Sequence, residues 1–147
     1  MTSKWMALAL AEAKDAGARG EVPVGAIFVW EGKVMAAAGN RVEELSDPTA
    51  HAEILALREA ARLLGTPRLK GGDLYVTLEP CPMCATALSF ARIKRVFFGA
   101  FDPKGGGVDH GPRIFDQPTC HHHPDVFGGL YEQACAALLT GFFEARR

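Results

Sequence analysis

The sequence predicts an α/β domain of three layers, α/β/α, built on a central mixed five-stranded sheet. Three observations point there. Apolar runs rich in β-branched residues alternate with stretches of helical periodicity, an early pair of such runs is separated by a tight turn, and glycine, proline and capping residues punctuate the chain between them. Strands that alternate with helices need a sheet covered on both faces. With 147 residues there is room for one core, and residues 1–147 read as one domain.

Each element has its own signal. Trp5, Leu8, Ala9 and Glu12-Ala13 fall near helical spacing and Ser3 can cap the start, which predicts a helix over 3–16 ended by Gly17 and Gly20. Val22–Trp30 reads as a strand, Glu31-Gly32-Lys33 as a tight turn, and Val34–Asn40 as the returning strand. Asp47, Pro48 and Thr49 supply helix-start chemistry before His51–Leu64, and Gly65 supplies the stop. Leu55, Leu57, Ala60, Ala61 and Leu64 form that helix's apolar face. Asp73–Leu78 reads as a buried strand, Pro80-Cys81-Pro82 turns it into a helix over Met83–Arg92, and Arg95–Ala100 is another strand. Residues 102–129 read as loop with short elements, and Leu130–Arg146 as a closing amphipathic helix.

Composition narrows the function classes. Hydrophobic residues make up 48% and charged residues 22%, ordinary for a globular protein rather than a disordered one. A formal net charge of −1 offers no large positive field for a long nucleic-acid footprint, yet leaves room for a site that reads a few nucleotides. The apolar start, Trp5 to Ala11, is short and is followed at once by Glu12, Lys14 and Asp15, so neither a signal peptide nor a membrane span is expected. Two of the four cysteines sit in a C-x-x-C, which without a secretory segment reads as metal or redox chemistry and points to the cytoplasm.

The chemistry concentrates in Thr49-Ala50-His51-Ala52-Glu53 and Glu79-Pro80-Cys81-Pro82-Met83-Cys84, each opening a helix. Cys81 and Cys84 lie three apart across a helix start, where both sulfurs can point to one side and the thiolate form is favoured. With His51 they make three ligands of the type zinc prefers, one ion per chain. No second C-x-x-C or paired-histidine motif supplies a fourth ligand, so the remaining position can hold water, the catalytic pattern. Zinc lowers the pKa of bound water to about 7, and Glu53, two residues beyond His51, is placed to accept that proton and deliver it later to a ring nitrogen and a departing amine. A redox pair beside a chance His-x-Glu is the competing reading.

His-x-Glu followed by Pro-Cys-x-x-Cys is the signature of zinc deaminases acting on bases. Over nearly its whole length the chain resembles the bacterial tRNA-specific adenosine deaminases of the cytidine and deoxycytidylate deaminase superfamily. The stretches that carry the resemblance are Val22-Pro23-Val24-Gly25-Ala26, Gly39-Asn40-Arg41, Asp47 to Ile54, Leu74 to Cys81, Phe98-Gly99-Ala100, and Cys135 to Leu139 followed by Phe142-Phe143. The resemblance implies a cytidine-deaminase-like fold, a homodimer, and conversion of the wobble adenosine of a tRNA anticodon loop to inosine. It also implies that Asn40 positions the target nucleoside, that Asp102 contacts the ribose, and that Phe143 and Arg146 lie where the last helix approaches the RNA.

Other readings stand beside these. Asn40 can be a turn residue closing the hairpin, Asp102 a loop cap before Pro103, and Phe143 core packing. The family often carries Asn-His-Arg in the late loop where this chain has His121-His122-His123 after Cys120. That tract reads as a polar loop at the mouth of the site, or as a second metal site. Cys135 reads as a small core residue, and Arg92, Lys94 and Arg95 as a solvated face or a phosphate-contacting edge. Two further functions remain in play: a free-base deaminase acting on guanine or cytosine, and a zinc-stabilised RNA-binding subunit without catalysis.

Overall fold

The computed structural model describes residues 2–147, with side chains described from Lys4 onward; the Ser3 side chain, expected to cap the first helix, lies outside that set. The elements run α1 (Thr2–Ala18), β1 (Gly25–Trp30), β2 (Lys33–Gly39), α2 (Val42–Leu45), α3 (Ala52–Leu64), β3 (Asp73–Leu78), α4 (Pro82–Phe90), β4 (Arg95–Ala100), a single 3-10 turn at Ile114–Asp116, β5 (Asp125–Gly128) and α5 (Glu132–Glu144). They form one mixed five-stranded sheet in the order β2-β1-β3-β4-β5. β1 is antiparallel to both β2 and β3, whereas β3, β4 and β5 are mutually parallel.

The central strands are buried on both faces, and their period of two sorts side chains into two cores. Phe28, Leu74, Val76, Val96 and Phe98 pack with Ala56, Leu57 and Ala60 of α3 and Leu88 of α4. On the opposite face Ile27, Val29, Tyr75 and Phe97 pack with Met6 and Ala9 of α1 and Cys135 of α5. The three-layer expectation is met, with α3 and α4 on one side and α1 and α5 on the other.

Several boundaries differ from the sequence reading. α1 continues through Gly17, and it is Gly20, left-handed at φ 88°, that turns the chain away. Glu31 and Gly32 alone make the hairpin turn, both left-handed (φ 51° and 75°) as a two-residue primed turn requires, so Lys33 already belongs to β2. β1 starts at Gly25 rather than Val22; Pro23 has no N–H to give to a ladder, and Val22 and Val24 line the cavity. α2 and β5 were not placed from sequence. α2 is one turn long, and β5 is an edge strand of four residues, only one of them half-buried, so neither leaves a periodicity to read.

Gly25 and Gly39 are register partners across the hairpin, and α1 lies directly on them. Ala9, Ala13 and Ala16 are fully buried there. A Cβ on Gly25 would strike the Ala9 carbonyl oxygen and come within 2.6 Å of the Ala13 nitrogen. The paired glycines therefore set the closeness of helix to sheet. Gly25→Ala should lower the unfolding free energy by about 1–3 kcal/mol in urea titration, the usual range for overpacking; an unchanged midpoint would show that α1 is not seated on this pair.

Candidate active site

Four chain segments meet at one edge of the sheet and enclose a cavity of about 770 Å³. Its lining comes from the approach to β1 (Glu21, Val22, Val24), the exit of β2 through the start of α3 (Asn40, His51, Glu53), the exit of β3 (Leu78, Glu79, Cys81) and the exit of β4 (Asp102, Gly105). Phe142 of α5 closes one side.

His51 and Cys81 hold equivalent positions, each the N-cap residue of its helix in extended backbone conformation (φ −73° and −71°). Neither uses its side chain to cap, so both are left for a ligand. The turn before His51 is built by Asp47, whose Oδ1 accepts the Thr49 N–H at 2.8 Å and the Thr49 hydroxyl at 2.7 Å. The side-chain cap of α3 comes from Asn40, whose Oδ1 accepts the Ala52 N–H at 2.8 Å. Sequence reasoning placed the helix-start chemistry at 47–49; the cap instead arrives from twelve residues upstream, across the hairpin exit.

His51 Nδ1 lies 3.6 Å from Cys81 Sγ and 3.5 Å from Cys84 Sγ. Tetrahedral zinc, with bonds of about 2.3 Å to sulfur and about 2.0 Å to nitrogen, separates such ligand atoms by about 3.5 Å. The three side chains therefore fit the ion as they stand, and no other trio of His, Cys, Asp or Glu converges this way among the described residues. Cys84, beside it, draws the Cys81 thiol down to about 4, and Cys81 in turn pushes Cys84 far up. The two helix N-termini that meet here have dipoles that favour negative charge.

Glu53 is buried on the first turn of α3, beside the ligands. Burial pushes its carboxyl up to about 7, and it lines the cavity with His51 and Cys81. Glu79, the last residue before Pro80, is buried too. Burial raises its carboxyl, but the N–H of Asp102, the His110 ring and the N–H groups of Val108 and Asp109 outweigh that and bring it below the usual range.

Fold and site together define a zinc-dependent deaminase, in which a His-x-Glu helix start faces a Pro-Cys-x-x-Cys helix start. The model of the cytidine and deoxycytidylate deaminase zinc-binding region matches residues 1–100, and the chain belongs to that family. A tRNA-specific adenosine deaminase of Agrobacterium fabrum is 59% identical over 97% of this chain and 94% of its own length. One of Bacillus subtilis is 45% identical over 97% and 89%. Among solved structures, one from studies of A-to-I editing by tRNA:A34 deaminases at the wobble position superposes with a TM-score of 0.92 at 60% identity, covering 92% of this chain and 99% of that one. A guanine deaminase from Bacillus subtilis superposes at 0.66 with 32% identity, covering 97% and 92%.

The remaining residues singled out from sequence fall into two groups. Asn40 and Asp102 both line the cavity. Asp102 is also a loop cap, its Oδ1 accepting the N–H groups of Lys104 (3.2 Å) and Gly105 (2.9 Å). Phe143 is not core packing: it is 47% exposed and lines a neighbouring depression with Val22, Leu78, Phe101 and Asp102. The adjacent Phe142 lines the main cavity, and Arg146 lies over its ring at 3.5 Å.

The Cys120–His123 tract is not at the mouth of the site. Cys120 and the His122 carbonyl contact Ser89 at the far end of α4, and His122 Nε2 donates to the Ile93 carbonyl at 2.6 Å. These residues do not converge on a second ion. Of the cationic cluster, Arg95 is held by Asp73 in a two-pronged pair (2.9 and 2.6 Å), whereas Arg92 and Lys94 form no ion pair among the described residues. Cys135 packs against Gly99 in the core, as expected, and burial pushes its thiol up to about 11. Glu79 and Phe142 stand inside the motifs read from sequence but carry no role there, and Glu21 is not singled out. The Gly105-Gly106-Gly107 run beside Pro80-Cys81 was the one available hint of a close backbone approach.

The two tasks of Asn40 can be separated. Asn40→Ala should cost about 1 kcal/mol of stability, the usual value of a lost cap, whereas Asn40→Asp keeps the acceptor and should stay close to the parent in urea titration. Equal losses in both variants would remove the capping role.

Proposed function

We propose that this chain deaminates the wobble adenosine in the anticodon loop of a tRNA to inosine. The observation that carries the reading is the near-full-length sequence likeness to tRNA-specific adenosine deaminases, 59% identical over 97% of this chain, against 32% for a guanine deaminase. The geometry supports it. The target base lies in a single-stranded loop, where unstacking is inexpensive, and can enter a cavity roomier than one base needs.

His51, Cys81 and Cys84 would hold zinc, which would supply Lewis acidity at this point of the cavity. Glu53 does the proton work: it takes a proton from the attacking water, passes it to the ring nitrogen beside C6, and then delivers the second proton to the amine, which leaves as ammonia while C6 becomes a carbonyl. A buried carboxyl with a pKa of about 7 suits a group that must both accept and release protons near neutrality. Asn40, its Oδ1 committed to Ala52, offers its amide N–H groups to the base or ribose. Asp102 offers its other carboxylate oxygen to a ribose hydroxyl. The carboxylates of Glu21, Glu43 and Asp102 keep phosphates out of the cavity, and Arg146, held on Phe142, meets them at its rim. Phe143 is placed to stack on a neighbouring base. The buried carboxylate of Glu53 has no use in a merely structural zinc site, which argues against the RNA-binding subunit without catalysis.

Acting on tRNA assigns the chain to the cytoplasm, and no described helix is long and apolar enough to cross a membrane. Association as a homodimer belongs to the same proposal: Phe90, 75% exposed at the end of α4, is an apolar side chain that a second copy would cover. Sedimentation reading a single chain at micromolar concentration would remove it.

The test is ammonia release by the zinc-loaded protein on an anticodon stem-loop bearing a wobble adenosine, beside free guanine, cytosine and adenine. Turnover is expected on the stem-loop. Turnover confined to guanine would transfer the site to free-base deamination. Glu53→Gln should retain one zinc per chain and lose about 10²–10⁴-fold in kcat; activity within a few-fold of the parent would overturn the role given to Glu53.

A further inference from the structure

Glu79 does more than precede the zinc motif. It sits just past the end of β3, where its own N–H donates to the Ala100 carbonyl at 2.8 Å and extends the parallel pairing with β4. Its side chain is fully buried and accepts five hydrogen bonds from one segment, the strap 102–110 that leaves β4. Oε1 takes the Asp102 N–H (3.0 Å) and the His110 Nδ1–H (2.8 Å). Oε2 takes the N–H groups of Val108 (3.2 Å), Asp109 (3.0 Å) and His110 (3.1 Å). Both ends of the strap are thus fastened to one carboxylate.

The middle of the strap is fitted to the metal-binding turn. The Gly107 N–H donates to the Pro80 carbonyl at 2.8 Å, and a Cβ on Gly107 would stand 2.5 Å from the Pro82 nitrogen. A Cβ on Gly106 would strike the Glu79 carboxylate itself. His110 is further held edge-on against Phe101, ring centroids 6.2 Å apart. The strap carries Asp102 and Gly105 into the cavity lining, whereas His51, Glu53, Cys81 and Cys84 belong to α3 and α4.

We propose that Glu79 and His110 are positioning residues: the buried carboxylate latches the strap, His110 closes the latch, and together they set where Asp102 and Gly105 meet the substrate. The assignment rests on the deaminase reading for its kinetic consequence but not for its structural one. Loss of the His110 ring donor keeps the Gly107–Pro80 bond and the four backbone donors to Glu79, so the metal ligands and Glu53 stay in place and substrate affinity suffers while turnover at saturation is kept.

Glu79 is too buried to change without risk to folding, so the test uses His110, which is partly exposed. His110→Ala removes the Nδ1 donor. His110→Asn restores an N–H near the same place, because the Asn side-chain amide mimics the Nδ1 side of the ring. On the wobble-adenosine stem-loop, His110→Ala should raise KM about tenfold, as expected for a lost hydrogen bond to a charged group, with kcat and zinc content near the parent; His110→Asn should recover most of the loss. Hydrogen exchange at the Asp102, Val108 and Asp109 amides should speed up in His110→Ala and slow again in His110→Asn. Unchanged exchange in His110→Ala, or equal falls in kcat for both variants at constant KM, would overturn the proposal. If the parent itself fails on the stem-loop, the functional reading fails, and the exchange measurement still decides the latch.

Discussion

β1 runs against both its neighbours, so β2, β3, β4 and β5 all point the same way. Their carboxyl ends lie along one edge of the sheet, and so does the amino end of β1. Every residue of the site follows from that direction. Asn40 and His51 come after β2, Glu79 and Cys81 after β3, Asp102 after β4, and Glu21 just before β1. Open α/β sheets bind ligands outside the carboxyl ends of their strands because there the loops part and helix N-termini point inward. Here α3 and α4 both begin at that edge, and their first residues face one another across the distance of a tetrahedral ion.

Electrostatics at the edge is consistent with the chemistry. Two helix N-termini favour anionic ligands, and the neighbouring Cys84 lowers the Cys81 thiol. Of the five carboxylates that line the cavity, four are handled in different ways. Glu21 caps α2 by accepting the N–H groups of Glu43 and Glu44, and Glu79 holds the strap. Asp102 caps its own turn, and Glu53 is buried with a raised pKa. Three are fixed by backbone donors, whereas burial pushes the Glu53 carboxyl up to about 7.

The opposite end of α4 has no part in this. The Cys120–His123 tract ties the C-terminal end of that helix to Ile93 and Ser89. A nine-residue helix, about 13 Å long at 1.5 Å per residue, separates it from Cys81. Three histidines and a cysteine in a row invite a metal reading, but neighbouring residues on an extended segment point in different directions and rarely reach a common ion.

Read alone, the sequence determined the grouping of His51, Cys81 and Cys84, the place of Glu53 beside them, and the layered fold. Those depend on short-range patterns: His-x-Glu and Cys-x-x-Cys at helix starts, and period-two apolar strands buried on both faces. A ligand type at a fixed spacing within one turn carries its geometry with it. Tertiary structure alone decided what depends on contacts between distant segments. Asn40 caps a helix twelve residues away, and Phe142 rather than Phe143 faces the cavity, since a one-residue step around α5 turns the side chain by about 100°. The role of Glu79 was invisible for the same reason. Its donors lie 23 to 31 residues further on, in a glycine-rich loop without periodicity, and only the parallel pairing of β3 and β4 brings them to the same place.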